Sequence, residues 1–134
     1  MTKKVLFDKI INMNEMKLCE INENIKHFDQ PAFLEKLLGN RELFDELVGY
    51  ACQQVPDELQ NIKKACETKN AEKARNIAHK IKGTALNMCF GPFAELTIKF
   101  EETCGSDESA AYSLFSKMEL EWKNIKAEID RGSK

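Results

Sequence analysis

The sequence predicts an all-α protein: an antiparallel up-down four-helix bundle with additional helical material at its N-terminus. Two observations lead to this prediction. Only 6 of the 134 residues are glycine and 3 are proline, so few positions interrupt regular structure, and long helices are favoured over many short strands. Apolar residues also recur every three or four positions along much of the chain, which is the spacing of one helix face.

The first well-marked helix is short and begins after Asp29. Aspartate caps helix N-termini, and Pro31 suits a first turn, where its missing N–H is not needed. Gly39 closes this helix, because glycine tolerates the backbone conformation that ends many helices. Asn40 is then placed to cap the helix that follows.

The second helix is predicted to run from Arg41 to about Thr68 as one element. Pro56 lies near its middle and removes one backbone donor, so we expect a kink rather than two separate helices. The apolar residues of this segment form one face: Phe44, Leu47, Val48, Ala51, Val55, Leu59, Ile62 and Cys66.

Two further breaks divide the rest of the chain into three predicted helices. Asn70 caps the first of them, Gly91-Pro92 ends it and begins the next, and Gly105-Ser106-Asp107 precedes the last. The first two predicted helices span about 71–89 and 91–104. The last has Asp107 and Glu108 in its first turn and an apolar face that continues to Ile129, and residues 131–134 are predicted to be a disordered tail.

The short connections make consecutive helices antiparallel neighbours, so we predict one bundle over residues 21–130. Residues 1–20 are predicted to form a helical N-terminal extension. Their apolar side chains leave three roles open: packing on the bundle, exchange between protomers, or fraying. We therefore predict a monomer, with a dimer formed through this extension as the alternative.

Length and charge exclude several classes of protein. A chain of 134 residues suits one domain rather than a two-domain enzyme. Its net charge is −2, whereas nucleic-acid binders are typically basic, so we predict no nucleic-acid partner. Asp8 and Lys9 interrupt any signal-peptide core, and no apolar run approaches the ~20 residues of a membrane-spanning helix. We therefore expect a cytoplasmic protein with no membrane partner.

The sequence contains no familiar motif for metal binding or nucleotide binding. Its 5 cysteines are scattered without C-x-x-C pairs or zinc-ligand spacing, and this odd set favours reduced thiols. The glycines form no phosphate-binding loop, and neither G-x-S-x-G nor H-E-x-x-H occurs. We therefore predict no metal and no cofactor.

His79 lies on the polar side of its predicted helix. At about 100° per residue, the apolar residues of this helix fall on the opposite side, so His79 is predicted to face solvent. Lys82 and Gly83 lie one turn further on, where Lys82 can reach whatever His79 contacts. Glycine inside a helix costs ~1 kcal/mol relative to alanine, so Gly83 indicates that something large approaches His79. The predicted buried face consists of Ala74, Ile77, Ile81, Ala85 and Met88.

Positive charge is concentrated around His79. Between Lys69 and Gly83 there are five cations and one anion, a local net charge of +4. Such a patch suits a phosphoryl group and an acidic partner surface. The alternative is an ordinary surface histidine. The residues we expect to contact a partner are Arg75, Asn76, Lys80, Leu86 and Phe90.

Glu101 is predicted to lie beside His79. His79 is twelve residues before Gly91 and Glu101 is ten after it, so an antiparallel pair places them within about 3 Å of the same height. Glu101 is therefore a candidate acceptor for Nδ1–H of His79, which would leave Nε2 free. The alternative is an unrelated surface carboxylate. The other histidine, His27, has no comparable neighbours and is predicted to be a surface residue.

The run AHKIKGTALNM, from Ala78 to Met88, resembles the A-H-x-[LI]-K-G signature of histidine-containing phosphotransfer (HPt) domains. The resemblance covers roughly residues 21–130. The family often has Gly-Ala where this chain has Cys89-Phe90, which leaves open whether Gly91 replaces that glycine. Further matches are Leu38 to Leu43, Pro56 with Leu59, Asn87, and the apolar-acidic pair Phe100-Glu101.

This resemblance implies a carrier in a multistep His-Asp phosphorelay. His79 would accept a phosphoryl group from a receiver aspartate or a sensor histidine kinase and pass it to another receiver aspartate. The resemblance implies charge stabilisation by Lys82 and steric access at Gly83, and it allows a hydrogen-bond acceptor at Glu101. It implies no ATP site, hence no enzyme, and Mg²⁺ only on the receiver. The alternatives are a non-phosphorylated bundle that docks and inhibits a receiver or kinase, and a helical protein that self-associates through residues 1–20.

Overall fold

The computed structural model describes residues 27–132, which fold into five α-helices. Consecutive helices pack together, and the second helix also contacts the fifth, which closes the last four into a bundle. The predicted all-α bundle with additional N-terminal helix is therefore confirmed. Within residues 27–132, no helix is long and apolar enough to cross a membrane. The helices are α1 (Gln30–Lys36), α2 (Arg41–Glu67), α3 (Ala71–Asn87), α4 (Gly91–Thr103) and α5 (Glu108–Gly132).

The structure tests the prediction for the C-terminal end of the chain but not the prediction for the N-terminal end. The extension at residues 1–20 lies outside the described residues, and the start of the bundle at residue 21 stays a prediction. At the other end, α5 continues through Arg131 and Gly132, so the predicted disorder is wrong for these two residues. Ile129 still packs against the core in this last turn, and the charge of Arg131 suits the negative end of the helix dipole.

Side-chain oxygens cap the first turn of four helices. Each accepts a hydrogen bond from a backbone N–H three residues later, a donor that the helix itself leaves unpaired. α2 continues past Pro56 as one helix of 27 residues, as predicted, while the kink stays a prediction. The caps, with distances of 3.0–3.2 Å, are Asp29, Asn40 and Asn70, as predicted, and Asp107.

Three helices are followed by a residue other than glycine in the left-handed backbone region. Leu38, Lys69 and Cys89 have φ angles of 57°, 56° and 66°. A side chain costs roughly 1–2 kcal/mol in this region, which is why glycine usually takes the position. Cys89 thus adopts the conformation that glycine favours. Gly91 is instead the first residue of α4, so it does not replace the missing glycine.

The cysteines follow the prediction at three described positions. Cys52, Cys66 and Cys104 are free thiols.

Phe90 holds the turn between α3 and α4 in the core. It is fully buried, and its ring lies edge-on to those of Phe28 and Trp122, at centroid distances of 4.8 and 5.9 Å. Edge-to-face contacts of this kind add stability beyond the burial of apolar area. The prediction that Phe90 contacts a partner is therefore wrong, because α5 and the segment before α1 cover it.

The left-handed conformation of Lys69 makes one prediction for stability. Lys69→Gly should raise the free energy of unfolding by about 0.5–1 kcal/mol, because removing the side chain relieves more strain than the added flexibility costs. Urea denaturation measures this change. Lys69→Ala is the matched control and should bring no comparable gain, because alanine keeps a Cβ. Equal stability of the glycine and alanine variants would contradict the strain argument.

Candidate functional site

His79 lies on the solvent-facing side of α3, between the neighbouring helices α2 and α4. Its side chain is 69% exposed, as the helical periodicity predicts. Ile77 is only partly buried, whereas the sequence placed it on the buried face. The residues of α3 that pack into the core on the other side are Ala74, Ala78, Ile81, Thr84, Ala85 and Asn87.

Glu101 of α4 contacts the imidazole of His79. Its Oε2 lies 2.8 Å from Nδ1, so the contact expected from the antiparallel register is present. Glu101 is held in place because Phe100, its chain neighbour, is fully buried. A carboxylate at Nδ1 favours the tautomer with hydrogen on that nitrogen. Nε2 is then left with its lone pair, and it makes no hydrogen bond to the described part of the chain.

Lys82 contacts the other oxygen of the same carboxylate. Its Nζ lies 2.8 Å from Oε1 of Glu101, whose side chain is 19% exposed. Partial burial raises the pKa of Glu101, but the hydrogen bonds from Lys82 and His79 outweigh burial and hold this pKa below its usual value. Glu101 is therefore ionised at neutral pH. Each of its two oxygens faces a different group of the site.

Gly83 lies one turn after His79, in the middle of α3. A Cβ built at this position would meet no atom within 4 Å, apart from the backbone of its own helix. Packing inside the protein therefore does not require glycine here. Glycine destabilises a helix interior by ~1 kcal/mol relative to alanine, and packing against the described residues does not account for it at this position.

The predicted partner surface is only partly free. Arg75 donates through Nη2 to the carbonyl of Cys104 at 2.6 Å, so it stabilises the end of α4. Lys80 forms an ion pair with Glu58 of α2 at 3.2 Å. Asn76 is exposed as predicted, and Leu86 is half-buried.

His27 differs from its prediction as an ordinary surface residue. Its Nδ1 contacts Oε2 of Glu121 on α5, and Glu121 is 8% exposed. The two residues are 94 positions apart, so no local pattern could show this contact. Glu58 was missed as the partner of Lys80 for a related reason. The sequence does not specify how α2 and α3 are aligned against each other.

The family comparison adds one finding. A family model described as Hpt domain matches residues 46–131, which is more than half of the chain. The chain belongs to the Hpt domain family. No curated protein and no solved structure matches this sequence.

Hpt domains act in His-Asp phosphorelays, where they interact with receiver domains and kinases. The matched region of this Hpt domain covers most of its second helix, all of α3 and α4, and nearly all of α5. The chain has 2 histidines, and His27 lies outside that region, so His79 is the only histidine within it. Among the described residues, no cluster of three or more metal-ligating side chains occurs.

The contact between Glu101 and His79 predicts the tautomer of the imidazole. In the neutral ring of His79, Nδ1 should carry the hydrogen, and Glu101→Ala should shift the population towards hydrogen on Nε2. Ring ¹⁵N chemical shifts report this population. His27 is an internal control, because its Nδ1 contacts Glu121 and should not respond to the substitution. An unchanged His79 spectrum in the Glu101 variant would contradict the assigned role of this contact.

Proposed function

We propose that this Hpt domain carries a phosphoryl group on Nε2 of His79 within a multistep His-Asp phosphorelay. The observation that carries the proposal is that the only histidine of the family-matched region is exposed and held through Nδ1, with Nε2 free. The donor is a phosphorylated receiver aspartate or a sensor histidine kinase. The acceptor is the aspartate of another receiver.

The transfer needs a nucleophile, room for the donor and compensation of charge. The Nε2 lone pair forms the new N–P bond while the O–P bond of the acyl phosphate breaks, and the aspartate carboxylate leaves with that electron pair. The ring keeps its hydrogen on Nδ1 and becomes positively charged. The Glu101 carboxylate at 2.8 Å stabilises this charge, in the way that a buried aspartate supports the histidine of a hydrolase triad.

Lys82 supplies the charge that the phosphoryl group requires. Catalysis of phosphoryl transfer depends mainly on positioning and on neutralising the equatorial oxygens. Lys82 lies one turn from His79, and its side chain is 25% exposed, so its ammonium can turn from Glu101 towards the phosphoryl group. We propose that this exchange of partners accompanies each transfer.

The proposed carrier needs neither nucleotide nor cofactor of its own. An acyl phosphate or a phosphorylated kinase already supplies an activated phosphoryl group, so the chain acts as an intermediate rather than as an ATP-dependent enzyme. We propose that Mg²⁺ belongs to the partner receiver. We also propose the cytoplasm as the compartment, because the relay draws its phosphoryl groups from ATP.

Incorporation of label at His79 is the direct test of this function. Incubation with a phosphorylated receiver or a cognate kinase should label the protein, with an acid-labile and alkali-stable bond. His79→Gln should abolish labelling, whereas the control His27→Gln should retain it. Label on the His79 variant would refute the assignment. A tight receiver complex with no transfer in either direction would instead support the binding module.

A substitution at Gly83 can separate an effect on steric access to His79 from an effect on the stability of the fold. Gly83→Ala and Gly49→Ala should each raise the free energy of unfolding by ~1 kcal/mol, because both glycines lie inside helices with open space around a built Cβ. Gly49 is nine residues before Glu58, the partner of Lys80, which places it about 14 Å away along α2. Only Gly83→Ala should slow phosphoryl transfer, measured as the single-turnover rate. Equal transfer rates for the two variants would remove the proposed role of Gly83.

A further inference from the structure

Asn87, the last residue of α3, makes an unusual contact with Gly83. Its side-chain Nδ2 donates to the Gly83 carbonyl at 2.9 Å. The helix pattern directs the backbone N–H of Asn87 to the same carbonyl oxygen. We propose that Asn87 is a positioning residue, which holds the backbone at Gly83 and thereby keeps His79 aligned with Glu101. This inference rests on the function proposed above.

Gly83 is the weak point in the helix that presents His79. Glycine loses more conformational freedom on folding than any other residue, so a helix opens more readily there. No side chain surrounds the position, since a Cβ built on it meets only open space. The helix pattern joins the N–H of Gly83 to the carbonyl of His79. A distortion of the backbone at Gly83 therefore changes the relative positions of the His79 and Lys82 side chains.

Asn87 is itself well anchored. Nζ of Lys36, at the end of α1, donates to the Asn87 carbonyl at 3.1 Å. Two of the next three residues are also fixed, because the carbonyl of Cys89 accepts a hydrogen bond from the N–H of Asp29 at 3.0 Å and Phe90 donates its N–H to the carbonyl of Ala85 at 2.9 Å. The end of α3 is thus a rigid support from which the Asn87 amide reaches back to Gly83.

The burial of Asn87 argues against stability as the reason for its amide. The residue is 4% exposed, and its Oδ1 is buried without a hydrogen-bond partner among the described residues. An unpaired buried acceptor destabilises a fold, whereas an apolar side chain of similar shape avoids that penalty. A partner protein cannot reach this amide either. Its donation to Gly83 is the contact that accounts for an asparagine here.

The main variant is Asn87→Leu, which removes the donor and the unpaired acceptor together. The midpoint of urea unfolding should stay the same or rise. Hydrogen exchange of the backbone amides at residues 83–87 should accelerate about five-fold, the equivalent of one lost hydrogen bond. The maximal rate of transfer from a phosphorylated receiver should fall about ten-fold, because small misplacement of reacting atoms is costly. The receiver concentration at half-maximal rate should not change.

Thr97→Val is the matched control. Thr97 is buried on α4 and donates through its hydroxyl to the carbonyl four residues earlier, Phe93, at 2.8 Å. Its substitution removes the same kind of hydrogen bond at a site without glycine, so the transfer rate should be unchanged. Asn87→Ala, which adds no volume, repeats the main test if leucine disturbs the packing.

A double-mutant comparison identifies Gly83 as the target of Asn87. In a Gly83→Ala background the helix is already stiffer, so Asn87→Leu should accelerate amide exchange less than in the wild type. Equal acceleration in both backgrounds would overturn the proposal. So would a normal maximal transfer rate, or a rise in the half-maximal receiver concentration. Failure of the proposed function is distinguishable, since then either His79→Gln would still take up label or the wild-type protein would take up none.

Discussion

The carboxylate of Glu101 is the interaction on which the rest of the site depends. One oxygen contacts Nδ1 of His79 and the other contacts Nζ of Lys82, each at 2.8 Å. Glu101 can do this only if α3 and α4 are aligned so that both groups reach one carboxylate. That alignment is set at the turn between the two helices. The arrangement of groups around His79 therefore depends on a turn that lies about twelve residues further along the chain.

The turn is held by residues whose importance is structural. Cys89 adopts a left-handed backbone conformation, and Phe90 is enclosed by Phe28 and Trp122. The segment before α1 joins this support, since the N–H of Asp29 donates to the carbonyl of Cys89 at 3.0 Å. The segment before α1, which includes Phe28 and Asp29, and the helix α5 thus contribute to the site by fixing the position at which α4 begins. A residue such as Phe90 matters to function without being reachable by any partner.

Local signals in the sequence predicted much of the fold and the centre of the site. Capping residues such as Asn70 mark helix ends because they pair with N–H groups only three residues away. Periodicity showed that His79 faces solvent, and counting from the turn placed Glu101 beside it. The remaining contacts join distant segments, such as His27 with Glu121, and depend on how whole helices pack. Periodicity also cannot distinguish an apolar residue that meets a partner from one enclosed by its own chain.

Contacts in the folded protein neutralise part of the positive charge that the sequence shows around His79. Lys80 and Lys82 are paired with Glu58 and Glu101, so these two carboxylates reduce the local charge from +4 to +2. Arg75 keeps its charge, because it donates to a neutral backbone carbonyl at the end of α4. An arriving phosphoryl group would compete with Glu101 for Lys82. If Lys82 left Oε1 of Glu101, the full charge of the carboxylate would be available to the imidazole at Oε2, which would gain positive charge in the proposed transfer. The geometry therefore shows one carboxylate shared between Lys82 and the imidazole of His79, and in the proposed transfer its interaction with each would change as a phosphoryl group arrived and left.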